Sequence, residues 1–266
     1  MTSSSRLVQL FSQQGQSPWL DNLKRSLISS GELVKVRETG IRGLTSNPTI
    51  FQKAIQGSAD YDEQFQSLIQ NQSSIIDSYW AMVLQDIHGA LDVFAPVYTS
   101  SGGTDGFVSV EVDPRLAHDG HGTLSAARRL HEVVNRANVM IKIPATQEGI
   151  PAIREMIAEG RNVNVTLIFS LSRYQDVMDA YIDGLEQRVE SGLSPVGISS
   201  VASFFISRVD NEIDKRLNAL GTADALSLLG TAAVNQARLA YALFQKTFSG
   251  PRWERLKAAG AQVQRP

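Results

Sequence analysis

The chain has 266 residues, of which 42% are hydrophobic and 20% are charged, and its formal net charge is −2. That apolar fraction is typical of a folded protein and argues against disorder, and the length suits one α/β barrel of roughly 250 residues. The absence of cysteine excludes disulfides, thiol nucleophiles and Cys-based metal sites. With no basic excess and no apolar run of ~18 residues, we expect a cytoplasmic protein that binds neither nucleic acid nor membrane.

Six short apolar segments predict β-strands, and several are rich in β-branched residues. They cover residues 18–21, 40–45, 106–112, 139–143, 163–169 and 196–203. Between them the apolar residues recur at helical spacing, which predicts helices over 60–94 and 123–137. Ser172 and Gln175 form a possible capping box for a helix reaching about residue 191. Alternating strands and helices predict an α/β protein with a parallel sheet.

Lys142 is the most informative polar residue, because it stands between two isoleucines in the fourth strand segment. One interpretation is a surface lysine whose apolar stem lies along the sheet. The other is a lysine held inside the sheet near the carboxyl end of its strand. Burial disfavours an ammonium group, and the resulting free amine can attack a carbonyl carbon to form a Schiff base.

Two carboxylates occupy similar positions. Glu111 lies between valines in the third strand segment, two residues after Ser109, and Asp21 ends the first segment. A single strand carboxylate more often faces solvent. Three ionisable residues on three strands, however, are typical of barrel enzymes that collect catalytic groups from strand ends.

Further polar residues allow two interpretations each. Asn47 and Asn164 could bind substrate hydroxyls, although Asn47 before a proline is equally typical of a turn. Arg208 could bind a phosphate at the start of a helix, or it could be an ordinary surface arginine. No metal site and no cofactor motif is expected.

Five segments together resemble the transaldolases, in particular their longer bacterial branch. They are 43–51 (GLTSNPTIF), 108–119 (VSVEVDPRLAHD), 139–146 (VMIKIPAT), 164–170 (NVTLIFS) and 203–208 (SFFISR). The resemblance implies a (β/α)₈ barrel of the class I aldolase type. It also implies transfer of a dihydroxyacetone unit from a ketose phosphate to an aldose phosphate in the pentose phosphate pathway, without metal or cofactor. The ketose would be sedoheptulose 7-phosphate or fructose 6-phosphate, and the aldose glyceraldehyde 3-phosphate or erythrose 4-phosphate.

The same resemblance implies a role for individual residues. Lys142 corresponds to the Schiff-base lysine, and Asp21 to the acid/base that takes the proton from the C4 hydroxyl. Glu111 corresponds to a carboxylate acting through a bound water, and Thr166 to a threonine holding that water. The implied substrate contacts are Asn47, Ser109, Asn164, Ser203 and, for phosphate, Arg208.

The resemblance also implies eight strands, whereas this sequence shows six, and a seventh would begin after the helical segment 251–260. We therefore expect one barrel domain over residues 1–266 that is incomplete at its C-terminus. Two alternatives stay open: a Schiff-base aldolase that releases free product, and an inactive fragment that folds poorly alone. The oligomeric state is left open.

Overall fold

The computed structural model describes residues 5–266, which contain six β-strands and thirteen α-helices. The strands are β1 (Trp19–Asp21), β2 (Gly43–Thr45), β3 (Val108–Glu111), β4 (Val139–Pro144), β5 (Val163–Ile168) and β6 (Ser200–Phe204). The helices are α1 (Arg6–Gln14), α2 (Arg25–Ser29), α3 (Glu32–Glu38), α4 (Pro48–Gln56), α5 (Asp62–Gln70), α6 (Ile75–Ser100), α7 (Gly120–Val134), α8 (Gly149–Ala158), α9 (Leu171–Glu190), α10 (Ser207–Leu220), α11 (Ala223–Ser227), α12 (Ala232–Thr247) and α13 (Pro251–Ala258). Short 3₁₀ helices cover Ala59–Tyr61 and Pro114–Leu116.

The strands form one sheet in the order β1-β2-β3-β4-β5-β6. The pairs β1/β2, β2/β3 and β5/β6 are parallel. The last residue of each observed strand lies within one residue of the last residue of its predicted segment. The predicted α/β fold with six strands is therefore confirmed. All six residues of β4 are buried, as expected for a parallel strand covered on both faces.

Two helix predictions were wrong in detail. The predicted helix over 60–94 is interrupted between α5 and α6, where Gln72 adopts a left-handed φ of +55° and the Oγ of Ser74 accepts a hydrogen bond from the N–H of Asp77. The Ser74 side chain takes the place of a helical carbonyl as acceptor for this N–H, so a new helix begins directly after Ser74. Helix α9 begins at Leu171, one residue before Ser172, and its N-cap is Ser170, whose Oγ accepts a hydrogen bond from the N–H of Arg173 at 3.1 Å.

The chain divides into two compact units, and each is described by itself. The first unit contains the chain up to Pro114 together with Arg129–Ile141, and the second contains Arg115–Arg128 and Lys142–Pro266. The first therefore includes β1, β2 and β3, and the second includes β5 and β6. That residues 1–266 form one domain stays a prediction, and residues 1–4 lie outside the described part.

In the second unit, residues after α13 pair with the outer edge of β6. The N–H of Arg265 donates to the carbonyl of Ser200 at 3.2 Å, and the N–H of Ala202 donates to the carbonyl of Arg265 at 2.8 Å. The side chain of Gln264 is fully buried and donates to the Oγ of Ser200 at 2.9 Å. This pairing lies where the sequence places the start of a seventh strand.

Among the described residues, none of the helices has the length and apolar character needed to span a bilayer.

Candidate active site

One face of the sheet in the first unit carries an aromatic layer. Trp19 lies level with Gly43 on the neighbouring strand, and the rings of Trp19 and Phe107 are 6.5 Å apart. A Cβ atom on Gly43 would lie only 2.5 Å from the Trp19 indole, so glycine leaves the space that the ring fills. The indole N–H also donates to the Oγ of Ser17 at 3.0 Å. These contacts fix the position of the Trp19 ring.

One layer further toward the carboxyl ends of the strands, the face becomes polar. Asp21 lies level with Thr45, and Thr45 lies level with Ser109. Residues level with one another on parallel strands project from the same face of the sheet. The predicted residues Asp21 and Ser109 are therefore brought into one row, with Thr45 between them.

Thr45 is a residue that the sequence interpretation missed. Its Oγ1 is buried and has no hydrogen-bond partner within residues 5–266. A β-branched residue is ordinary in a strand, so only its register with Asp21 could have indicated its position. That register depends on strand pairing.

Asn47 has an extended backbone at the start of helix α4 and lies close to a predicted catalytic group, Glu111. Its Oδ1 accepts a hydrogen bond from the N–H of Ile50 at 3.0 Å and so caps helix α4. Next to it, the buried Ser46 donates to the backbone carbonyl of Ser109 at 2.8 Å, which ties the turn to β3. The cap fixes the orientation of the Asn47 amide, because its oxygen is committed to the helix.

Glu111 and Asn47 line a small cavity of about 10 Å³. Tyr79 from α6 lies at the same cavity. Burial, and then the negative charges of Asp113 and Glu111, raise the pKa of Tyr79 to about 12. The direction of this shift shows that the phenol is half-buried beside two carboxylates, which is a second feature that the sequence did not indicate.

The second unit contains Lys142, whose side chain is only 6% exposed. The N–H that closes β4, from Ala145, donates to the carbonyl of Thr166 at 2.8 Å. Counting back along the two strands, Lys142 lies level with Asn164 on β5, so both project from one face. Of the two interpretations of Lys142, the structure therefore supports the buried lysine.

Asn164 connects the neighbourhood of Lys142 to β6, because the Oγ of Ser203 donates to its Oδ1 at 2.9 Å. Thr166 is 1% exposed on the same face of β5. Directly after it, Leu167 adopts a left-handed φ of +61°, and the register between β5 and β6 shifts between Val165 and Ile168. Bulges and strained residues of this kind concentrate near active sites.

Arg208 is exposed in the first turn of α10. Its guanidinium lies 4.7 Å from the centre of the Phe205 ring, and Phe205 stacks on Phe169 at 4.9 Å. A helix N-terminus with an arginine favours an anion such as phosphate. The predicted position of Arg208 at a helix start is therefore correct, and its role stays a prediction.

A parallel α/β protein with a buried strand lysine and carboxylates at strand ends has the groups that Schiff-base chemistry requires. Comparisons with known proteins agree with an enzyme of this Schiff-base class. The sequence profile of the family described as "Transaldolase/Fructose-6-phosphate aldolase" matches residues 18–265, and this protein belongs to that family. Its membership supports the barrel type of fold inferred from the sequence.

Several individual proteins are similar along nearly the whole chain. "Transaldolase 1" of Streptomyces coelicolor is 50% identical over 266 residues, which are 100% of this chain and 70% of that protein. "Transaldolase 1" of Streptomyces avermitilis is 51% identical over 96% of this chain and 68% of its own length. The "Transaldolase" of Mycobacterium marinum is 47% identical over 100% of this chain and 72% of its own length. The predicted C-terminal truncation is not confirmed by these matches.

Proposed function

We propose that this protein is a transaldolase that moves a dihydroxyacetone unit from a ketose phosphate to an aldose phosphate through an imine on Lys142. The observation that carries the proposal is the burial of Lys142 in β4, level with the polar residue Asn164, in a chain about 50% identical to transaldolases. Sugar phosphates are the substrate class that the family implies.

The first half-reaction proceeds through an imine. The amine of Lys142 attacks the ketone carbon of the donor. The hydroxyl of the resulting carbinolamine takes up a proton delivered by Glu111 through the bound water and leaves as water, so that a protonated imine remains. Asp21 then accepts the proton of the C4 hydroxyl while the C3–C4 bond breaks and its electron pair moves toward the imine nitrogen. The aldose phosphate leaves, and an enamine of dihydroxyacetone remains on Lys142.

The second half-reaction reverses these steps with a new aldehyde. The enamine carbon attacks the acceptor, Asp21 returns its proton to the new hydroxyl, and water releases the product ketose. Glu111 acts through a bound water while the imine forms and is hydrolysed, and Thr166 helps to hold this water. Asn47, Ser109, Asn164 and Ser203 bind hydroxyl groups, and Arg208 holds the phosphate in register with the reacting carbons. A cytoplasmic location suits this cysteine-free chain.

An aldolase that releases free dihydroxyacetone is the second candidate, because the family description includes fructose-6-phosphate aldolase. The two differ in what happens when no acceptor is present. A transaldolase cleaves about one equivalent of fructose 6-phosphate and then stalls, and it resumes when erythrose 4-phosphate is added. Steady release of dihydroxyacetone without acceptor would favour the aldolase.

Two lysine variants make this assay specific. Lys142→Met should abolish both the initial burst and the turnover. Lys215→Met, which removes an exposed lysine from α10, should leave both unchanged. Full turnover by Lys142→Met would refute the proposed role of Lys142.

A further inference from the structure

The hydroxyl of Thr45 occupies an unusual position in the polar row of the first unit. Thr45 is the last residue of β2 and lies level with Asp21 on one side and with Ser109 on the other. Parallel strands are about 4.8 Å apart, so side chains in one row are immediate neighbours. Within this row Asp21 is exposed and Ser109 is fully buried.

The buried Oγ1 of Thr45 has no hydrogen-bond partner in the described part of the chain. Buried polar atoms are nearly always paired, and an exception requires an explanation. Packing does not supply one, because valine has the same shape and would fill the position without a polar atom. Ser46, the next residue, does have its partner in the backbone carbonyl of Ser109. Other buried polar atoms in the described part of the chain also lack a partner, but among them the hydroxyl of Thr45 is the one that lies level with Asp21.

We propose that Thr45 is a positioning residue for Asp21. During cleavage its Oγ1 donates a hydrogen bond to the Asp21 carboxylate, which turns the second carboxylate oxygen toward the substrate hydroxyl. A threonine on a paired strand is a rigid support, because its χ1 angle has few accessible values. The inference rests on the proposed function, since it assigns Thr45 to the proton transfer that Asp21 performs there.

The test compares Thr45→Val, which keeps the shape and removes the hydroxyl, with Thr45→Ser, which keeps the hydroxyl. We expect Thr45→Val to lower kcat about tenfold or more while KM changes less than about twofold, because orientation is lost and binding is retained. Thr45→Ser should stay within about threefold of the unaltered protein. An increase in KM at unchanged kcat would instead identify a direct substrate contact and overturn the proposal.

A double variant separates positioning from general structural damage. If Thr45 acts through Asp21, then adding Thr45→Val to Asp21→Asn should cost less than about twofold. A full additional tenfold loss would overturn the proposal.

Borohydride trapping of the donor on Lys142 distinguishes the two levels of inference. Absence of trapping in the unaltered protein would contradict the proposed function itself. Trapping at Lys142 with Thr45→Val as active as the unaltered protein would contradict only the role of Thr45.

Discussion

Replacing Asp86 by alanine should destabilise the protein strongly, because it breaks a buried network. Asp86 on α6 is 1% exposed and accepts hydrogen bonds from the Nε of Arg25 at 2.8 Å and from the hydroxyl of Tyr61 at 2.7 Å. The guanidinium of Arg25 also lies 4.3 Å from the centre of the Tyr61 ring. Arg25 begins α2 four residues after Asp21, so this network anchors the segment that follows β1.

The size of the effect follows from what the substitution leaves behind. Burial raises the pKa of Asp86, so the ionised carboxylate is itself costly to bury. Truncation leaves the charge of Arg25, 13% exposed, and the Tyr61 hydroxyl without their acceptor. Removing one partner of a buried pair costs about 3–5 kcal/mol. This is a large share of the ~5–15 kcal/mol that stabilises a typical domain.

Urea denaturation measures the loss, with Asp92→Ala as the matched control on the same helix. Asp92 pairs with Arg136 at 3.3 Å, but their side chains are 67% and 48% exposed, so we expect a loss below about 1 kcal/mol. Combining Asp86→Ala with Arg25→Met should recover part of the loss, because no charge then stays buried and unpaired. Equal losses for Asp86→Ala and Asp92→Ala would refute this reasoning.

Three further predictions concern stability, each measured by denaturation. Gly43→Ala should cost about 1–3 kcal/mol, because its Cβ would overlap the Trp19 indole; an unchanged midpoint would mean that the ring can move. Arg252 lowers the pKa of Glu186 through its hydrogen bond, so stability from this half-buried pair exists above the ordinary carboxyl value of 4.5 and is lost as pH falls. Arg252→Met should therefore cost up to about 1 kcal/mol at pH 7 and nothing at strongly acidic pH; a gap that widens in acid would contradict the sign. Ser170→Ala should cost about 1 kcal/mol by removing the α9 cap, and no loss would show that the cap contributes little.

The sequence predicted the strands well because their apolar, β-branched segments carry a strong local signal. It predicted helix boundaries less well, because serines compete as caps. Ser74 interrupts an apolar periodicity that continues on both sides. Ser170 and Ser172 are both suitable caps by residue type, and only the start of α9 at Leu171 distinguishes them. Which serine caps a helix depends on how the chain packs against the sheet.

For the candidate site, a polar residue inside an apolar strand predicted the position of two residues, while their catalytic roles stay predictions. Lys142 and Glu111 stand out among isoleucines and valines, and both lie where the strand pattern placed them. Thr45 and Tyr79 gave no such signal, because threonine suits a strand and tyrosine suits a helix core. Their positions follow from strand register and from the packing of α6 on β3, which the sequence does not display.

The most direct test of the central claim is to trap the imine. The protein is incubated with fructose 6-phosphate and no acceptor, reduced with sodium borohydride, digested and analysed by mass spectrometry. The account predicts one reduced dihydroxyacetone unit for each chain, attached to the side chain of Lys142, and no label in Lys142→Met. A label on a different lysine, or no label on folded protein, would contradict it.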